Sequence, residues 1–276
     1  MNVVTAQLQE SSAEDRISIT TSGVVILDGA TAHDPMMPTS GRYVDLLCDQ
    51  LRQRLNSPDG LQAILSSAIE STADALQIRP GTAPSSTVAI VRLRHDAIET
   101  LLLGDSPIVI GWTDGSQSIL TDNRLAALDL PESREYRARL AAGSGYDRRH
   151  HDLLTALQSR QRQWRNREDG YWIAEADPTA AEHAIVRRDP ASSVSWVVMA
   201  TDGAANMLAP LGFSWEQLAR LDTSALNDFL SDCHEWEAHH DPDGQLQPRS
   251  KRHDDKTVAI IRPSPARSRQ TPQRFA

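Results

Sequence analysis

Apolar residues in this chain gather into short runs that carry an aspartate at one end. Residues 196–200, Trp-Val-Val-Met-Ala, are too few for an independent helix and predict a buried strand leading into Thr201-Asp202-Gly203. Residues 24–27 run in the same way into Asp28-Gly29, and Leu101-Leu102-Leu103 runs into Gly104-Asp105. The order is inverted near the end, where Asp254-Asp255 precedes a strand predicted over 258–261. If these strands share a sheet, their carboxylates meet at one rim. Gly203 allows the backbone to turn sharply or to approach another group closely.

Between these runs the period alternates. Residues 2–9 and 16–21 predict short strands joined through 11–15. Tyr43, Val44, Leu47, Leu51 and Leu55 recur at helical spacing. A second helix carries Leu61, Ile64, Leu65, Ala68, Ile69 and Leu76 and ends before Pro80-Gly81. Strands follow over 87–94, 97–103, 107–112 and 118–120, with turns at His95-Asp96 and Asp114-Gly115. Such a run of strands without intervening helices favours an antiparallel sheet. Residues 122–167 predict polar, arginine-rich helices whose apolar face holds Leu153, Leu154, Leu157 and Trp164. That segment reads as a solvated helical pair, or alternatively as a positively charged lid over an anionic substrate. After a strand over 183–187, Ser214 and Gln217 have capping-box spacing. Leu226, Phe229, Leu230, Cys233 and Trp236 mark a further helix. The expected organisation is one domain over 1–262, with a helical insert around 122–170 and a disordered tail over 263–276.

Composition narrows the function. A net charge of -9 argues against nucleic-acid binding, and no apolar stretch is long enough for a membrane helix. The first residues lack the features of a signal peptide, so a cytoplasmic location is expected. Cys48 and Cys233 fall on apolar helix faces and read as core thiols. Clustered carboxylates need cations, and an all-oxygen ligand set suits Mg²⁺, Mn²⁺ or Ca²⁺. Two ions sharing a carboxylate can activate water and polarise a phosphoryl oxygen.

The ordered motifs resemble the metal-dependent protein phosphatases of the protein phosphatase 2C type. Glu14-Asp15 resembles that family's N-terminal acidic pair, and Val25-Ile26-Leu27-Asp28-Gly29 its first metal motif. Ser86-Thr87-Val88-Ala89, Leu103-Gly104-Asp105-Ser106, Ala200-Thr201-Asp202-Gly203 and Asp254-Asp255-Lys256-Thr257 are similar to its later motifs. The resemblance implies an α+β fold: a four-layer α-β-β-α sandwich of two antiparallel sheets flanked by helices. It implies a protein serine/threonine phosphatase that uses a hydroxide activated by two Mn²⁺ or Mg²⁺ ions, without a covalent phosphoenzyme. Asp28, Asp202 and Asp254 would be the catalytic carboxylates. Asp28 would bridge both ions, the Gly29 carbonyl would hold one, and Asp202 and Asp254 the other. Asp105 would serve a weaker third ion, while Glu14, Asp15 and Asp255 would act through metal-bound waters. The implied partners are a phosphoprotein substrate and a kinase-linked signalling counterpart.

The chain departs from the family at several points. The first motif continues as Ala30-Thr31 where the family has His-Gly-Gly, and Asn206 stands where many relatives have another aspartate. Glu10 occupies the place of a phosphate-binding arginine, with Arg16 the nearest arginine. The phosphate-binding group is therefore unassigned, and an arginine of the 148–167 segment is one candidate. The competing reading is a catalytically weak or inactive phosphatase-like regulatory domain. A haloacid-dehalogenase-type phosphatase would need an aspartate at Ala30 and a parallel sheet. His234, His239 and His240 have the wrong spacing for a zinc-protease helix and read as surface residues, as do His150-His151. His253, beside Asp254, is a candidate general acid.

Overall fold

The computed structural model describes residues 1–10, 13–30 and 40–263. Among the described residues, ten strands form two antiparallel sheets. The first has the order β1 (Asn2–Leu8), β10 (Lys256–Arg262), β9 (Val194–Ala200), β6 (Ile108–Trp112), β7 (Gln117–Leu120). The second has the order β2 (Arg16–Ile19), β3 (Gly23–Ala30), β4 (Ser85–Arg94), β5 (Ala97–Leu103), β8 (Ile185–Pro190).

Strand alternation explains the layers, because successive side chains point to opposite faces. Val24, Ile26, Ala89 and Val91 pack toward Val197, Met199, Ala259 and Ile261 of the other sheet, in an apolar interior between the two. Val25, Leu27, Val88 and Ile90 face outward and are covered by α1 (Ser40–Arg54) and α2 (Leu61–Leu76). On the opposite side, Val198, Ala200, Val258 and Ile260 are covered by Leu226, Phe229, Leu230 and Cys233 of α8 (Thr223–His239). The result is the α-β-β-α sandwich. Both cysteines are free and buried, and burial pushes Cys48 up to about 11 and Cys233 up to about 12.

Arg92 on β4 is almost wholly buried and binds Glu99 of β5 at 2.6 Å. It also donates to the carbonyls of Leu55, Ser57 and Asp59, which ties the sheet to the α1–α2 connection. Between β7 and β8 lie α3 (Arg124–Ala127), α4 (Pro131–Ala141) and α5 (Arg148–Trp164). Leu130, Tyr136, Leu140, Leu153 and Leu157 form their own small core. Trp164 is not part of it and stands exposed, because it ends α5 beyond the reach of α4. The capping box at Ser214 opens the short α7 (Trp215–Leu218). Among the described residues no helix is long and apolar enough to cross a membrane. Residues 264–276, most of the expected tail, lie outside the described residues.

Candidate metal centre

The expected single rim is replaced by an arrangement that draws on both sheets. Asp28 lies inside β3, opposite Thr87 of β4, rather than at the strand's end. The strand continues through Gly29 and Ala30 because β4 extends to Ser85 beside it. Asp105 follows β5 in the same sheet, whereas Asp202 follows β9 and Asp254 precedes β10 in the other. All four line one cavity of about 610 Å³ at the same end of the sandwich.

Local chemistry positions each of them. Ser86 Oγ donates to the Asp28 carbonyl at 3.0 Å. Gly104, at φ +92°, packs on the Thr87 side chain, and Thr87 and Ser106 share a 2.6 Å hydroxyl contact. This turns Asp105 back toward β4. Asp202 opens the short α6 (Asp202–Ala205), and the Thr201 amide before it donates to the Thr257 carbonyl at 3.0 Å. Gly203 has no left-handed backbone angle, so it makes no special turn; it comes close to the backbone of Asp255 instead.

The acidic pair beside β2 is built into this frame. Thr201 and Thr257 hydroxyls each donate to Asp15 Oδ2 at 2.8 Å. The Asp255 carboxylate accepts from the backbone N–H groups of Glu10, Glu14 and Asp15. It therefore holds the acidic loop in place rather than facing the cavity. Arg16 grips the same loop from behind, donating to the carbonyls of Ala13 and Asp15 and pairing with Asp45. It does not line the cavity.

Charge is concentrated here beyond what the residues can balance. Burial, then the charges of Asp15, Asp202, Asp254 and Asp105, raise Asp28 well above the carboxylate range. Burial and the neighbouring Asp254 and Asp105 raise Asp202 to about 7, although a hydrogen bond with Asp28 pulls it down. Asp15 is raised to about 8, chiefly by burial. Asp105 and Asp202 open onto the cavity yet have protein on most sides, and Asp105 is likewise raised chiefly by burial. Carboxyls in this state ionise together only against a cation, and an oxygen-only donor set fits Mg²⁺ or Mn²⁺. The residues present therefore fit the ions.

Sequence reasoning missed Lys251. Its ammonium lies 3.0 Å from both Glu14 Oε2 and Asp254 Oδ1, inside the cavity lining. Burial alone would lower it, but Asp254 and Glu14 raise it above an ordinary lysine. A lysine three residues before Asp254 was a visible signal that spacing alone could not rank.

The helices α3 to α5 cover the cavity, and their cationic contribution comes from Arg134 and Arg137 of α4. None of the arginines in the 148–167 segment lines this cavity. Arg149 pairs with Glu135, Arg160 with Glu132 and Arg165 with Glu175, so these three are engaged in holding the insert. His150 is buried rather than a surface residue, lines the cavity with His151, and reaches the Ser250 carbonyl through Nε2 at 2.9 Å. His253 is not in the lining; its Nδ1 lies 3.1 Å from Glu237 on α8, so it points away from the aspartates.

The family model described as Protein phosphatase 2C matches residues 8–246. Among solved structures, a bacterial serine phosphatase superposes with a TM-score of 0.55 at 10% identity, covering 96% of this chain and 98% of that one. The PPM Ser-Thr phosphatase MsPP from Mycobacterium smegmatis, in complex with cacodylate, gives 0.54 at 16% identity, covering 96% and 99%. The catalytic domain of serine threonine protein phosphatase PstP, in complex with 2 manganese ions, gives 0.50 at 12% identity, covering 94% and 96%. No curated protein compared with the chain matches it.

Proposed function

The chain belongs to the protein phosphatase 2C family, and on that premise we propose that it is a metal-dependent protein serine/threonine phosphatase. The observation that carries this reading is the convergence of Asp28, Asp105, Asp202 and Asp254 from two sheets onto one cavity. Asp28, the Gly29 carbonyl, Asp202 and Asp254 would hold two Mn²⁺ or Mg²⁺ ions, with Asp105 serving a weaker third. A similar fold binds two manganese ions in the PstP structure, which supports that count. When bound, such ions lower the pKa of water and stabilise charge developing on phosphoryl oxygens.

The chain's own groups do the rest. Glu14, bound by Ser40 and Lys251, and Asp15, bound by Thr201 and Thr257, would hold ordered water beside the ions. Lys251 and Arg137 supply positive charge on the cavity side and orient the phosphate dianion. The α4–α5 pair excludes bulk water, which strengthens those charge interactions. A phosphoserine or phosphothreonine of a cytoplasmic phosphoprotein is the substrate class, and a protein kinase is its implied counterpart.

Two observations favour a second reading, a catalytically weak regulatory domain: Lys251 already compensates two of the acidic groups, and Ala30 stands where the first motif has a histidine in the family. Hydrolysis of a phosphothreonine peptide with Mn²⁺, against a chelator control and Asp202→Asn, separates the two. Turnover lost in both controls supports the phosphatase. Folded, Mn²⁺-binding protein without turnover supports the regulatory domain.

A further inference from the structure

Away from the aspartates, three metal-ligating side chains from distant parts of the chain meet. Glu10 follows β1, His234 lies within α8 and His253 lies in the segment before β10. Glu10 Oε1 and His234 Nδ1 are 2.8 Å apart. The imidazoles of His234 and His253 stack with centroids 4.2 Å apart and planes at 25°. One ligating atom from each of the three lies within 4.8 Å of the others. We propose that Glu10, His234 and His253 form a second metal site, distinct from the aspartate centre, for a borderline divalent cation of the Zn²⁺ class.

The donor set selects the ion. Two imidazoles and one carboxylate suit Zn²⁺, Co²⁺, Ni²⁺ or Cu²⁺, whereas Mg²⁺ and Ca²⁺ prefer oxygen alone. Three protein ligands leave a fourth tetrahedral position to water. A surface ion pair would account for Glu10 and His234 but not for a second imidazole stacked on the first.

The surroundings are also those of a metal site. His253 is oriented by Glu237, and Glu237 is in turn bound at 2.8 Å by Lys256. Glu237 and Lys256 are buried, so this backing is fixed, and a carboxylate behind a histidine is the usual support for a metal-bound imidazole. Glu10 and Glu237 each contact one of the imidazoles, and Lys256 offsets Glu237 from behind, which leaves one carboxylate charge unbalanced among these three. The ligand side chains are 24%, 39% and 21% exposed for Glu10, His234 and His253, so an ion reaches them from solution.

Occupancy would clamp three segments together. The Glu10 amide donates to Asp255, and His253 adjoins Asp254, so the ion joins the end of β1 and α8 to the segment carrying the last aspartates.

The test is Zn²⁺ titration by calorimetry in saturating Mg²⁺, with Co²⁺ absorption and melting temperature as further readouts. It compares the wild type with Asp202→Asn, His234→Ala and Glu10→Gln. One Zn²⁺ equivalent, a raised melting temperature and intense four-coordinate Co²⁺ bands are expected in the wild type and in Asp202→Asn. All three are expected to be lost in His234→Ala and weakened in Glu10→Gln, with the metal-free melting temperature of these two unchanged. The proposal is overturned if the wild type takes up no Zn²⁺, if His234→Ala binds it equally, or if binding disappears only in Asp202→Asn.

Discussion

Gly203 lies against Asp255 so closely that a β-carbon on the glycine would stand 2.2 Å from the aspartate's carbonyl oxygen. The contact joins the turn bearing Asp202 to the segment bearing Asp254, both at the same end of the β9–β10 pair. Gly203→Ala must therefore push the two carboxylates apart. A displacement on the order of 1 Å is enough to cost about 100-fold in rate. The expected result is a higher Mn²⁺ concentration for half-maximal activity and a large fall in kcat; an unchanged Mn²⁺ titration would refute the role assigned to this contact.

Asp28→Asn and Asp202→Asn should each reduce turnover by at least about 100-fold, the scale seen when a group stabilising transition-state charge is removed. Both proteins should stay folded. In chelator they should melt above the wild type, since each removes a carboxyl that burial and neighbouring charge make costly to ionise. Circular dichroism melts with and without Mn²⁺ check both halves of this expectation.

Asp15 at about 8 and Asp202 at about 7 set a pH dependence for the metal-free protein. Both start from an ordinary value of 3.8, so between that value and their raised ones the folded chain holds protons that the unfolded chain has released. Stability then falls as pH rises through that window. Melting temperature in chelator should drop from about pH 5 to about pH 8, and Mn²⁺ should remove most of the drop. A melting temperature that climbs with pH in chelator contradicts the burial of these carboxyls.

Lys251→Met is expected to separate substrate binding from metal binding. Losing the ammonium should raise KM for a phosphothreonine peptide by about tenfold, the scale of one charge-assisted hydrogen bond of about 1.5 kcal/mol. It should also tighten Mn²⁺ binding, since Glu14 and Asp254 no longer share their charge with the lysine. Lys251→Arg should restore part of the KM. If Mn²⁺ binding tightens while KM is unchanged, Lys251 acts on the ions and not on the phosphate.

Arg92→Ala tests the scaffold alone. It leaves Glu99 paired with the exposed Arg188 and removes the link to the α1–α2 connection. Breaking a buried pair in this way costs about 3–5 kcal/mol. The melting temperature should fall while KM of the folded fraction is unchanged, as measured below the transition.

The layers were legible in the sequence because each strand run has a partner whose apolar face matches it. Val24 and Ile26 point one way and Val25 and Leu27 the other, and a short run rich in valine and isoleucine fits only such a two-faced strand. The aspartates were legible as strand-associated residues, but their meeting place was not. Asp28 sits mid-strand because of how far β4 extends beside it, and the centre is shared between sheets because β3 and β9 pair in different ones. Lys251, Arg137 and the His234–His253 stack depend on contacts between distant segments, which local periodicity does not encode. The 148–167 arginines misled for a related reason: a run of charge shows that a surface is solvated, not which way it faces.

The pairing of β1 with β10, from Asn2 opposite Arg262 to Leu8 opposite Lys256, has a consequence for biosynthesis. The strand at one edge of the first sheet waits for a neighbour more than two hundred residues later in translation, and Asp255 must arrive before Glu14 and Asp15 are held. Such distant pairing makes folding slow. Until β10 has been made, the nascent chain carries Glu14 and Asp15 without the residue that anchors their backbone.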